Sequence, residues 1–155
     1  MSIEVITRKA GSFVHRVQVA SFEELLVDVP TVVGGEDSAP DPHDYFDLSL
    51  GACKSITVLM YARRKGLPLA SIVTTVDRDD SDERRAGENA EYRLSVSMHF
   101  QAEDGAELDE ATRQRLLEIS ERCPIHRLMT STRVSVTSRD HRQLKSGMTA
   151  TIESA

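Results

Sequence analysis

Alternating hydrophobic and polar positions near the start of the chain predict short strands. Residues 14–19 place Val17 and Val19 on one face and Arg16 on the other, which is the period of a half-buried strand. A short apolar run at residues 25–29 ends before a proline and predicts a second strand. The first forty residues therefore indicate a small sheet.

A long helix is predicted at residues 42–65. Asp41 is placed to cap its first turn, Pro42 suits the first helical position, and Gly66 followed by Pro68 marks its end. The middle of this helix is apolar on most sides, through Phe46, Leu48, Leu50, Ala52, Ile56, Val58, Leu59 and Met60. A helix that is apolar nearly all round belongs in the centre of an assembly, which in a chain of this size predicts a homodimer.

The second half of the chain alternates strand and helix patterns. Residues 72–76 and 92–100 predict two strands, and the charged segment between them, residues 77–91, predicts a solvated hairpin loop. A second helix is predicted from about Asp109, followed by a last strand at residues 132–137. This second helix extends to Cys123, which its spacing from Leu116 and Ile119 turns toward the buried face. Pro124 then breaks the backbone pairing, and residues 125–129 predict another short turn.

This order of elements predicts an α+β fold with an antiparallel sheet. The length of 155 residues predicts one domain over residues 1–155, with residues 143–155 as a loosely ordered tail. A net charge of −6 argues against nucleic acid as a partner, because nucleic-acid binders normally present a basic face. No stretch approaches the ~20 apolar residues of a membrane span, and no signal peptide is recognisable, so the sequence predicts a cytoplasmic protein without a membrane partner.

The chain contains two cysteines, Cys53 and Cys123, seventy positions apart. In a reducing compartment a permanent structural disulfide is disfavoured. The sequence alone leaves these thiols as catalytic, redox-sensing, metal-binding or simply buried residues.

Two motifs carry a resemblance to a known family. Residues 51–69, Gly-Ala-Cys-Lys-Ser-Ile-Thr-Val-Leu-Met-Tyr-Ala-Arg-Arg-Lys-Gly-Leu-Pro-Leu, resemble the central helix of the OsmC/Ohr family. Residues 122–127, Arg-Cys-Pro-Ile-His-Arg, are similar to its second cysteine motif. The resemblance covers roughly residues 10–138, and the pair of motifs in this order is specific where either alone is only suggestive.

The resemblance implies an intertwined homodimer in which antiparallel sheets wrap two long central helices. It also implies a thiol peroxidase that reduces organic hydroperoxides in oxidative-stress defence, with active sites at the dimer interface. Cys53 would be the peroxidatic cysteine and Cys123 the resolving one. No metal, flavin or haem is implied, and electrons would come from an external dithiol, with a lipoyl-type thiol as the candidate.

The chain departs from the family pattern around the activating groups. The family peroxidases carry a glutamate ten residues before the first cysteine, where it orients an activating arginine, but this chain has His43 there, with Asp44 beside it. An attacking thiol must be ionised, so a nearby cation or hydrogen-bond donor is required. Arg16 is the candidate for that cation, with Arg8 behind it, and His43 with Asp44 would replace the acid.

Two other classes of function stay open. In one, Cys53, Cys123, His126 and His43 bind zinc, although a Cys-x-x-His spacing supplies only half of a usual structural set. In the other, the protein is a non-catalytic binding module whose apolar pocket at the dimer interface holds a small molecule.

Overall fold

The computed structural model describes residues 3–85 and 90–138. The chain forms two compact units, one containing residues 3–45 and 136–138 of the described part, and the other residues 46–135. The boundary near residue 45 falls within the long helix. The prediction of a single domain over residues 1–155 stays a prediction.

The first unit contains a three-stranded antiparallel sheet. Strands β1 (Ile3–Thr7), β2 (His15–Val19) and β3 (Phe22–Val27) follow one another in the order β1-β2-β3. Val17 of β2 is buried, as its alternation predicts. The predicted strand at 14–19 is confirmed, the strand predicted at 25–29 begins earlier, and β1 was not predicted.

Helix α1 (Pro42–Lys65) has the predicted bounds. The Asp41 side chain accepts a hydrogen bond from the backbone N–H of Asp44 at 2.9 Å, while the Asp44 side chain accepts from the backbone N–H of Asp41 at 3.0 Å. This reciprocal cap satisfies two backbone donors that an open helix end would leave unpaired. At the other end Gly66 takes a left-handed conformation, with φ of +63°, and stops the helix.

The second unit contains a long antiparallel hairpin of β4 (Leu69–Asp79) and β5 (Arg93–Ala102). Both predicted strands are confirmed and are longer than expected. The prediction that residues 77–91 are all loop is wrong, because residues 77–79 still pair with β5 and a short helix, α2 (Ser81–Arg84), follows. The charges of the segment are compatible with a strand because Arg78 pairs with a carboxylate on α1.

Helix α1 packs on this hairpin through small and polar contacts. A side chain at Gly51 would lie 2.9 Å from the Cγ2 atom of Val76, so glycine permits the close approach. The hydroxyls of Ser55 and Thr74 hydrogen-bond at 2.7 Å. The apolar core next to this contact contains Val58, Ala62, Leu69, Phe100, Leu108, Leu116 and Ile119.

Two further helices complete the described part. Helix α3 (Glu110–Ser120) begins after Asp109, whose side chain accepts from the backbone N–H of Thr112 at 2.8 Å. The prediction that this helix extends through Cys123 is wrong: α3 ends at Ser120, and α4 (Pro124–Ser131) begins after Cys123. Proline forces this break because it lacks the N–H that would continue the helix.

The predicted last strand at residues 132–137 is also wrong. Residues 132–138 form no strand, and both Val134 and Val136 are exposed. Alternation alone does not make a strand, because its backbone groups must find a neighbouring strand to pair with. The predicted tail, residues 143–155, lies outside the described residues.

Candidate active site

Cys53 lies in the middle of α1 and is partly buried. Its backbone carbonyl accepts a hydrogen bond from the Thr57 hydroxyl at 2.8 Å, one turn further along the helix. The thiol is not engaged in a disulfide. The helix therefore holds Cys53 on a rigid element and leaves part of its side chain accessible.

Cys123 is fully buried and caps the first turn of α4. Its sulfur accepts a hydrogen bond from the backbone N–H of His126 at 3.4 Å, and Pro124 occupies the first helical position. The motif Cys-Pro-Ile-His thus has a local structural reason: the proline begins the helix, and the sulfur takes the place of a capping oxygen.

The structure brings the two thiols together. Burial is the largest cause that raises the pKa of Cys123, and the neighbouring Cys53 thiol is the next. The backbone N–H groups of His126 and Ile125 act in the opposite direction. The raised pKa keeps Cys123 protonated near neutral pH and so a poor nucleophile toward a molecule arriving from solvent, whereas Cys53 is the more accessible member of the pair.

An ion-paired network joins the segments that carry these thiols. The Nζ atom of Lys54 lies 2.8 Å from Oε1 of Glu121, and Nε2 of His126 lies 3.3 Å from Oε2 of the same carboxylate. The Lys54 side chain is only 3% exposed, whereas that of Glu121 is 59% exposed. The hydrogen bond from Lys54 is the largest cause that lowers the pKa of Glu121, so the Glu121 carboxyl is ionised near neutral pH.

Sequence reasoning missed this network, although the helix period contained a signal for it. Lys54 falls four residues after Leu50 and four before Val58, so it lies on the stripe of α1 that faces the core. A lysine on a buried stripe requires an acceptor. Its partner could not be named, because Glu121 is 67 positions away in the chain.

A second buried network lies on the same stripe of α1. Asp47 accepts a hydrogen bond from Nε of Arg78 at 2.6 Å and another from the Tyr92 hydroxyl at 3.0 Å. Burial, and then the bond to Asp47, raise the pKa of Tyr92 to about 12. Tyr92 is thus a stable hydrogen-bond donor, and the network anchors α1 to β4 through Arg78 and to the residue just before β5.

The predicted activating residues all lie in the first unit. Arg16 is an exposed residue of β2. His43 and Asp44 lie in the first turn of α1, where Asp44 serves the helix cap and Nδ1 of His43 lies 3.9 Å from an oxygen of Asp41. Both cysteines belong to the second unit, so an activating role for these three residues stays a prediction.

The zinc alternative receives no support from the described ranges 3–85 and 90–138. Within them no group of three or more histidine, cysteine, aspartate or glutamate side chains is arranged to hold a metal ion. Among the same residues, no helix combines the length and hydrophobicity that crossing a bilayer requires.

A depression of about 500 Å³ opens beside the first turn of α4. Charged side chains line part of it, among them those of Glu121, Arg122, His126 and Arg127.

Comparison with known proteins identifies relatives of this chain. The family model described as OsmC-like protein matches residues 35–139. A search of the curated proteins finds no match.

Solved structures share the fold. An OsmC-like protein from Mycoplasma pneumoniae is 16% identical and has a TM-score of 0.62, with 84% of this chain and 86% of that chain covered. An organic hydroperoxide resistance protein OsmC from Legionella pneumophila is 18% identical, with a TM-score of 0.56 and coverage of 84% and 88%. The organic hydroperoxide resistance protein OhrB of Bacillus subtilis is 16% identical, with a TM-score of 0.55 and coverage of 84% and 90%.

Proposed function

The chain belongs to the OsmC-like protein family, and from that premise we propose that it is a thiol-dependent peroxidase that reduces organic hydroperoxides in oxidative-stress defence. Cys53 is the peroxidatic residue and Cys123 the resolving residue. The observation that carries this proposal is that the two cysteines of one chain lie on segments held together, because Lys54, next to Cys53, bonds to the Ser120 carbonyl and to Glu121, just before Cys123. Two of the similar structures are named organic hydroperoxide resistance proteins, which agrees with this substrate class.

The reaction needs only the two sulfurs, the peroxide and a reductant. The Cys53 thiolate attacks the terminal peroxide oxygen and the O–O bond breaks, so that Cys53 becomes a sulfenic acid. The alkoxide that leaves takes up a proton and becomes the alcohol. The Cys123 sulfur then attacks the Cys53 sulfur, a disulfide forms, and the hydroxyl leaves as water. An external dithiol, with a lipoyl-type thiol as the candidate, reduces that disulfide and restores both thiols.

The two environments suit this division of roles. Cys53 is partly accessible, so a substrate from solvent can reach it, whereas Cys123 is buried and has a raised pKa. A buried, protonated thiol is protected from direct oxidation by solvent peroxide. It becomes useful once a sulfenic acid forms beside it, because proximity replaces intrinsic reactivity.

Thiol titration distinguishes this peroxidase from a non-catalytic binding module. One equivalent of cumene hydroperoxide per chain should remove both titratable thiols, and one equivalent of cumyl alcohol should appear. Dithiothreitol should then restore both thiols, since the product is a disulfide. A chain that keeps both thiols while the peroxide stays intact would contradict the enzyme and favour the binding module.

We further propose that the working form is a homodimer. One stripe of α1 is exposed in the single chain although it is apolar, and its members follow a four-residue spacing: Leu48, Ala52, Ile56 and Met60. Ile56, near the centre, is 57% exposed. An exposed apolar stripe of this length on a rigid helix favours association with a second copy, which would bury it.

Sedimentation measures this association directly. At micromolar concentration the parent should sediment at about twice the chain mass of 17.2 kDa. Ile56→Glu would place a charge at the centre of the stripe and should shift the protein toward the monomer. The control is Leu117→Glu, which changes a partly exposed leucine of α3 outside the stripe. A monomeric parent would contradict the dimer.

A further inference from the structure

We propose that the ion pair between Lys54 and Glu121 has a positioning role: it holds the Cys53 and Cys123 thiols at the distance and orientation that disulfide formation requires. This inference rests on the proposed peroxidase function, because it assigns a task within the resolving step. Neither residue is assigned a contact with the peroxide or with the reacting sulfurs. Lys54 acts through the segments on which the two cysteines lie.

Lys54 and Glu121 each lie close to one of the two cysteines along the chain. Lys54 directly follows Cys53, and Glu121 precedes Cys123 by two residues. The ammonium group of Lys54 lies 2.8 Å from the Glu121 carboxylate and 3.5 Å from the backbone carbonyl of Ser120. One side chain from α1 therefore ties down the end of α3 and the connection that leads to Cys123.

The side chain of Lys54 is buried, although it carries an amino group that water would solvate. With 3% of its side chain exposed, Lys54 has lost nearly all contact with water, whereas Glu121 keeps most of its exposure. A buried ion pair is often no more stabilising than apolar residues of similar volume. Stability alone therefore does not explain a lysine on this stripe, whereas fixing the position of a distant segment does.

The geometry of a disulfide shows why the relative position of the two thiols matters. A disulfide forms only when the two Cα atoms lie within ~7 Å and the side chains point toward one another. Cys123 lies between two helices, at the break between Ser120 and Pro124, where the backbone has no continuous helical hydrogen bonding. Without an anchor at this break, the Cys123 thiol would spend less time against Cys53, and the effective concentration of the two thiols would fall.

The test replaces Lys54 with methionine, which keeps an unbranched side chain and removes the charge. Reduced protein is equilibrated anaerobically with mixtures of oxidised and reduced dithiothreitol, so that the two electrons of the protein thiols pass to the reagent disulfide. Remaining thiols are then counted. We expect the equilibrium constant for the Cys53–Cys123 disulfide to fall about tenfold in Lys54→Met, which corresponds to about 30 mV for a two-electron couple.

Three further variants define the effect. Lys54→Arg keeps the cation and should recover part of the lost equilibrium constant. Glu121→Gln removes the charge from the exposed partner and should reproduce the loss, and it provides a folded variant if Lys54→Met is unstable. Lys65→Met, which changes an exposed lysine in the last turn of α1, should leave the constant at the parental value.

The outcomes separate this inference from the function on which it rests. If the parent forms its disulfide and both Lys54→Met and Glu121→Gln keep the parental equilibrium constant, the positioning role is wrong and the peroxidase proposal stands. If the parent forms no intrachain disulfide at any ratio of the reagent, the resolving role of Cys123 and the positioning role are both wrong. A similar fall in Lys65→Met would also overturn the inference, because the effect would then reflect general charge.

Discussion

Cys53→Ser should consume cumene hydroperoxide on the order of 1,000-fold more slowly than the parent in the presence of a dithiol reductant, because a serine hydroxyl is a far weaker nucleophile than a thiolate. The substitution also removes the sulfur that accepts the transferred oxygen, so no sulfenic acid can form. The measurement is the rate of peroxide loss at saturating reductant, with enzyme and peroxide concentrations held constant. The parent should complete many turnovers under conditions in which the variant shows only the uncatalysed background.

The structure makes this variant interpretable. Cys53 is partly exposed on a continuous helix, and serine differs from it by a single atom, so the fold should be retained. The unfolding midpoint and the sedimentation behaviour of Cys53→Ser should therefore match those of the parent. Thr57→Val is the matched control, because it removes the hydroxyl that bonds to the Cys53 carbonyl and leaves the thiol in place. Equal turnover by Cys53→Ser and the parent would rule out the assignment.

The sequence predicted the elements that local chemistry determines. The bounds of α1 followed from Asp41, Pro42 and Gly66, each of which acts within one turn of the helix end that it marks. The strand at residues 92–100 followed from alternation, which reports burial on one face and needs no knowledge of the partner. These signals are contained within a few residues, so a single sequence is enough to read them.

The errors arose where the outcome depends on distant residues. The segment at 132–137 has the alternation of a strand. A strand also needs a neighbouring strand with which its backbone can pair, and residues 132–138 form no strand. Residues 77–79 looked too charged for a strand, yet Arg78 is neutralised by Asp47, which lies on another element. In both cases the local pattern was correctly identified and the tertiary partner decided the structure.

In the candidate site, too, the local features could be predicted from the sequence and the distant partners could not. Both cysteines were recognisable from their motifs, but only the structure shows that the segments carrying them lie together. The helix period contained a signal for Lys54 on the buried stripe, but that signal was missed, and its partner Glu121 depends on how α3 packs against α1. The activating residues Arg16, His43 and Asp44 stay predictions, because they lie in a different unit from the thiols.

Cys123→Ser should lose steady-state turnover about 100-fold while it retains the first oxidation. The first equivalent of peroxide should be consumed at close to the parental rate, because Cys53 is unchanged. The reaction should then stall, since no neighbouring thiol converts the sulfenic acid to a disulfide. Single-turnover peroxide loss measures the first step, and trapping with dimedone should label one Cys53 per chain in the variant and much less in the parent.

Serine is a suitable replacement at this position for a structural reason. Cys123 caps α4 by accepting the backbone N–H of His126, and a serine hydroxyl is among the preferred capping groups, so the helix start should be preserved. That bond also satisfies the serine oxygen as an acceptor, which limits the penalty for burying it. Full steady-state turnover by Cys123→Ser would show that the external dithiol reduces the sulfenic acid directly, and the resolving role of Cys123 would then be wrong.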